Sequence, residues 1–172
     1  MRKFLPLLAL ATAALMGCGG TADSLAATQT ATGSSCDPGA KLAPSEAGLD
    51  QVQLCVKSGA KNHAFTVEVA RTSAQQARGL MFRTALADDR GMIFPFPDTR
   101  MASFWMKNTV IPLDIIFVRA DGRIENIAAN TTPYSTDPVE STAPVVAVLE
   151  LRGGLAAERG IKAGDSVHWQ AR

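Results

Sequence analysis

The fold class that the sequence predicts is a small, mostly β (α+β) domain: a β-barrel or rolled sheet of about seven short strands with two short helices. Three observations lead there. Apolar residues recur at every second position in several short runs. Asp121-Gly122 stands between two such runs, a strong hairpin signal. Val145 to Leu151 is apolar throughout except for Glu150, the pattern of a central strand.

The elements follow in chain order. Val52, Leu54 and Val56 alternate with Gln51, Gln53, Cys55 and Lys57, a half-buried strand. Ser58 to Asn62 reads as a turn into a second strand, in which Phe65, Val67 and Val69 alternate with Thr66 and Glu68. Thr72-Ser73 followed by Gln75-Gln76 is a capping box, opening a short helix expected to run through about Met81. Met92–Phe96 and Met101–Met106 are expected as strands parted by a Pro95–Asp98 turn. Leu113–Val118 and Arg123–Ala128 form the arms of the Asp121-Gly122 hairpin. A long loop, Asn130 to Pro144, carries Pro133, Pro138 and Pro144. Leu155 to Arg159 is one helical turn stopped by Gly160, and Ser166–Gln170 is the last strand.

The domain does not occupy the whole of the 172 residues. Met1-Arg2-Lys3 is a basic start, and Phe4 to Met16 is uncharged and rich in Leu and Ala. That run is short of the roughly 20 residues of a membrane-spanning helix and fits the apolar core of an export signal. Leu15-Met16-Gly17-Cys18 resembles a bacterial lipobox. The resemblance implies that residues 1–17 are removed, that Cys18 carries a diacylglyceryl group, and that its new amino terminus is acylated. Gly19 rather than Asp follows the cysteine, which in that pattern points to the outer membrane over the inner. The alternative is a secreted periplasmic protein, cleaved at Ser24-Leu25-Ala26. From Gly19 to Asp50 there is no aromatic, Val or Ile, too little apolar surface to offset the entropy of ordering. Residues 18–50 are therefore expected as a lipid anchor and flexible tether, and residues 51–172 as one compact domain.

The net charge of +1 and the absence of a basic stretch argue against nucleic-acid binding, which rests on neutralising phosphates. Of three cysteines, Cys36 and Cys55 remain beside the lipidated one. In an oxidising envelope they are expected to form a disulfide, the alternative being two free thiols.

The segment Arg78 to Phe117 is the densest in aromatic and methionine residues. Gly-Leu-Met-Phe-Arg stands at 79–83, and Phe-Trp-Met-Lys-Asn-Thr-x-Ile-Pro-Leu-Asp at 104–114. Val148-Leu149-Glu150-Leu151 follows, then Gly154 and Gly164-Asp165-Ser166-Val167. In these three ordered motifs the sequence resembles domain of unknown function family 192, small exported or lipid-anchored proteins of bacteria and archaea. The resemblance spans about Gln51 to Trp169 and implies a single compact β domain; it implies no activity.

Within the motifs, Arg83, Trp105, Lys107, Asn108 and Asp114 are candidates for a polar rim beside an aromatic floor, the anatomy of a small-ligand site. The same residues also suit a structural role. Asn108 and Thr109 favour a turn, Pro112 fixes it, and Asp114 suits bonds to turn amides or a pair with Arg83 or Lys107. Catalytic signals are weak. His63 and His168 have no metal-ligand neighbours in sequence, and there is no nucleophile elbow or phosphate loop. Two alternatives remain. One is an envelope hydrolase whose paired carboxylates are Asp114 and Glu150, although Glu150 in an apolar strand also suits a pair with an arginine. The other is a Cu(I) carrier using Met81, Met92, Met101, Met106 and Trp105, since thioethers suit that soft ion and also fill cores. The leading expectation is a noncatalytic envelope lipoprotein, without cofactor, that binds a small polar ligand or a protein partner.

Overall fold

The computed structural model describes residues 36–38, 40 and 42–170. The expected export signal, the expected lipidation site Cys18 and most of the expected tether lie outside them. The elements are β1 (Gln51–Ser58), β2 (Lys61–Val69), α1 (Ser73–Arg78), β3 (Arg90–Arg100), β4 (Ser103–Phe104), β5 (Leu113–Val118), β6 (Ile124–Ala128), β7 (Val139–Glu140), β8 (Val145–Arg152), α2 (Leu155–Arg159) and β9 (Ser166–Trp169). Seven strands form one sheet in the order β6-β5-β8-β3-β2-β1-β9, and β4 pairs with β7 alone. Only the β2–β3 pairing is parallel. The sheet rolls until its two edges meet. Arg123 bridges Ser166, Ile124 N–H donates to the Asp165 carbonyl (2.8 Å), and Val167 N–H donates to that of Gly122 (2.7 Å). The fold is thus mostly β, as its alternation and hairpin signals predict.

Two apolar clusters flank the middle of this sheet. The first includes Leu54, Val56, Phe65, Val67, Ile93, Ile116, Leu149 and Val167 inside the roll. The second lies on the outer face and includes Met92, Phe94, Ile115, Phe117 and Val148, with Leu80, Ala102 and Met106 packed over them. Successive residues of one strand point to opposite faces. Strands β3, β5 and β8 therefore feed both clusters, which is why Val145–Leu151 has no polar alternation until Glu150. Strands β1 and β2 feed only the inner cluster and alternate.

Four details differ from the sequence reading. The first helix ends at Arg78, not Met81, because Gly79 (φ +48°, ψ −136°) leaves the helical region; a Cβ there would lie 3.4 Å from the Phe94 ring in a backbone conformation strained for L residues. Pro95–Asp98 is not a turn but part of the eleven-residue β3. The Pro95 carbonyl accepts from Gln76 (3.0 Å), away from β8, so the missing N–H would have pointed that way too and no ladder bond is lost. The expected strand Met101–Met106 shrinks to Ser103–Phe104. Finally, ordered contacts begin before Gln51, where the Ala43 carbonyl accepts from the Gln51 side-chain amide (2.8 Å); the Cys36–Cys55 disulfide that the sequence reading expects is formed.

Asp114 is fully buried and accepts three backbone N–H bonds. Oδ1 takes those of Asn130 (2.7 Å) and Gly154 (2.9 Å), and Oδ2 takes that of Ala156 (2.7 Å). Gly154 precedes α2 and has no side chain to cap it. Asp114 supplies that cap from β5, satisfying first-turn amides and placing a negative charge at the helix start. Replacing Asp114 with Asn puts an amide donor against these N–H groups. Asp114→Asn is expected to unfold at lower denaturant concentration, with about 2–4 kcal/mol less stability; an unchanged midpoint would show that the three bonds do not matter.

Candidate functional site

The outer cluster is covered by chain outside the seven-stranded sheet: Leu80 and Leu86 after α1, residues between Ala102 and Ile111, and Val139 of β7. A cleft of about 180 Å³ opens in this cover. Its walls include Phe94, Phe96, Phe104, Trp105 and Met81, with Ser103 and Thr109, and the charged residues lining it are Arg78, Arg100 and Glu150. Phe104 packs edge-on against Phe94, ring centroids 5.1 Å apart at 86°, and against Phe117 at 6.4 Å.

Glu150 is the unusual member. Strand β8 places it opposite Met92 of β3 and Ile115 of β5, on the outer face and 5% exposed. Among the described residues no hydrogen bond or ion pair reaches its carboxylate, so the arginine partner expected for it is missing. Burial in this apolar setting pushes its pKa from the ordinary carboxylate range up to about 8. At neutral pH most of the population is the neutral acid.

The loops beside the cleft are strained and cross-tied. Phe82 and Tyr134 hold φ of +64° and +62°, unfavourable for side chains of this size, and Asn108 holds +57°, a left-handed conformation that asparagine tolerates. Phe82 N–H donates to the Asn108 carbonyl (2.9 Å), and Tyr134 N–H to that of Thr109 (3.1 Å). Met106 N–H donates to the Ser135 carbonyl (2.9 Å). These bonds hold the 81–83, 105–109 and 130–135 segments together and leave Phe82, Trp105 and Tyr134 at least half exposed.

The five rim candidates are therefore only partly brought together. Trp105 lines the cleft, and Lys107 Nζ lies 5.1 Å from its ring centroid. Asn108 Nδ2 donates to the sulfur of Met81, a cleft residue, at 3.8 Å. Arg83 turns elsewhere: its guanidinium holds both carboxylate oxygens of buried Glu68, at 2.9 and 2.7 Å. The depressions beside Arg83, about 380 and 490 Å³, are larger than the cleft, but their one buried acid, Glu68, is already paired. Asp114 is committed to the α2 cap.

The Asp114–Glu150 hydrolase reading is corrected by the same geometry. Asp114 pairs in register with Leu151, and Glu150 with Ile115, so the two carboxylates leave the sheet on opposite faces. They cannot flank one bond. The methionines are scattered too. Met92 and Met106 are core residues, Met106 sulfur accepting from Thr131 (3.1 Å), while Met101 is exposed and only Met81 lines the cleft. His168 is exposed, beside Ser166 at 3.2 Å. His63 is half-buried with Nε2 unpartnered, and burial, Arg159 and Lys61 lower its pKa.

The family model described as "Uncharacterized ACR", DUF192, matches residues 54–169. The chain belongs to domain of unknown function family 192. The crystal structure of a protein of unknown function from Novosphingobium aromaticivorans DSM 12444 is 53% identical, covering 77% of this chain and 95% of that one at a TM-score of 0.74. A protein from Sinorhizobium meliloti 1021, described as a candidate transcription regulator, is 37% identical over 70% of this chain and 94% of that one, with a TM-score of 0.68. No curated protein matches.

All three motifs of this DUF192 domain serve the cleft. The first contributes Gly79, Leu80 and Met81, the second Phe104, Trp105 and Thr109, and the third Glu150. Sequence reasoning missed Phe94, Phe96, Phe104, Arg78 and Arg100, and gave Glu150 the wrong companion; the available signal was one acid within an apolar strand.

The raised pKa of Glu150 fixes a sign for stability. In the unfolded chain the acid loses its proton near pH 4.5, whereas in the folded domain it keeps it to about pH 8. Stability from this group is complete below pH 4.5 and falls by about 1.4 kcal/mol per pH unit until pH 8. Denaturant midpoints should therefore drop faster between pH 5 and pH 8 in the wild type than in Glu150→Gln. Parallel profiles would refute the buried, unpartnered acid.

Proposed function

We propose that this protein is a noncatalytic binding protein of the bacterial cell envelope, lipid-anchored through Cys18, whose cleft holds a small ligand. The observation that carries the reading is Glu150: a carboxyl group at the base of an aromatic cleft, desolvated and without a protein partner. Burying an acid in this way is unfavourable, and a bound polar group would relieve it. The cleft volume of about 180 Å³ is below the roughly 300–1,000 Å³ of sites for drug-sized molecules, which favours a compact ligand. Strained, cross-tied loops favour a preformed site over one assembled on binding.

The envelope part of the reading rests on the export signal, the Leu15-to-Cys18 lipobox and the Cys36–Cys55 disulfide, which suits an oxidising compartment. The net charge of +1 does not favour carrying the regulator description of the Sinorhizobium protein over to this chain.

Two measurements test these halves. In a thermal-shift screen of small polar molecules, hits should raise the melting temperature of the wild type and lose their effect in Ser103→Trp, which fills the exposed side of the cleft. No hits, or hits that survive Ser103→Trp, would contradict the cleft reading. Mass spectrometry of the mature amino terminus should find an acylated Cys18 carrying diacylglycerol; a free amine at Ala27 would contradict the lipid anchor.

A further inference from the structure

Both the floor and the walls of the cleft favour positive charge. Glu150 is the acid among its charged residues, and among the described residues no arginine or lysine forms an ion pair with it. The walls are the rings of Phe94, Phe96, Phe104 and Trp105, whose faces are negative in their quadrupole. Two of these faces already attract cations of the protein: the Arg100 guanidinium lies 3.8 Å from the Phe96 centroid, and Lys107 Nζ lies 5.1 Å from that of Trp105. Such walls disfavour an anion next to Glu150.

We infer that the cleft binds a small organic ammonium ion, with its charged nitrogen against the Glu150 carboxylate and its carbon atoms against the aromatic walls. This rests on the reading of the cleft as a ligand site and adds the chemical class of the ligand.

The positive groups facing the cleft are Arg78, which directly follows Ala77 of α1, and Arg100 at the end of β3, with Lys107 outside Trp105. All three are exposed, so water and salt screen their repulsion of a cation. The attraction of desolvated Glu150 is screened far less, and it decides the sign. The empty site at neutral pH holds the protonated acid. Binding an ammonium ion ionises it, and the Glu150 proton leaves to solvent; no other bond forms or breaks. Binding must therefore tighten as pH rises toward about 8, where Glu150 ionises unaided.

The test uses the full exported chain in a non-ionic detergent, titrated calorimetrically with n-butylammonium, n-butyrate and 1-butanol. The expected result is saturable binding of n-butylammonium, with affinity rising about tenfold per pH unit from pH 6 toward pH 8 and then levelling off. Neither n-butyrate nor 1-butanol should compete. Glu150→Gln, which keeps the shape and removes the charge, should weaken binding at least tenfold at pH 8.5 and flatten the pH dependence. Preferential binding of n-butyrate or 1-butanol, or ammonium binding indifferent to Glu150→Gln, would overturn the assignment while leaving a ligand cleft. Silence from all three probes, with screen hits that Ser103→Trp abolishes, would likewise overturn the cation alone. Silence from the probes and the screen together would overturn both readings.

Discussion

The need to cover β3, β8 and β5 on both faces is the constraint on which the rest of this structure depends. A rolled sheet buries one face of its strands automatically. Here the outer face of the three middle strands is also apolar, with Met92, Phe94, Ile115, Phe117 and Val148, and exposing it to water would be costly. The chain covers it with material that is not sheet: α1, Leu80, Met106 and the long loops. Irregular backbone cannot close as evenly as a paired strand, and the gap left in this cover is the cleft. The fold and the site therefore have one origin.

Within that frame two of the buried carboxylates have opposite fates. Asp114 and Glu150 lie on adjacent, paired strands, at registers one residue apart. Asp114 faces the inner side, where three amides await it, and its charge is satisfied by the start of α2. Glu150 faces the outer side among rings and methylenes, where no donor reaches it. The same side-chain chemistry thus gives a structural cap at one position and an acid without a protein partner, held protonated by burial, at the other.

Much of this fold was legible in the sequence. Period-two alternation located β1 and β2, Asp121-Gly122 located the β5–β6 hairpin, and the unbroken run from Val145 located the central strand. Boundaries went wrong where tertiary context overrode local signals. Pro95 reads as a turn residue, yet it is accommodated because its unpaired side faces α1. Phe104-Trp105-Met106 reads as strand, yet pairing stops at Phe104 and the Met106 N–H bonds the Ser135 carbonyl of a loop instead. The site was less legible because it is made by register. Which face Glu150 takes, and that Arg83 is held by Glu68, follow from strand pairings that a single sequence does not display. Of the motif residues proposed for a rim, Trp105 lines the cleft.

The central claim is that Glu150 stands unpartnered and uncharged at the base of an aromatic cleft. It is tested most directly by carbon-13 NMR titration of the glutamate side-chain carboxyl groups, with the Glu150 signal assigned by its loss in Glu150→Gln. The structure predicts a single carboxyl midpoint near pH 8 that vanishes in that variant. A Glu150 midpoint near 4.5, where an ordinary glutamate titrates, would contradict the account of the site.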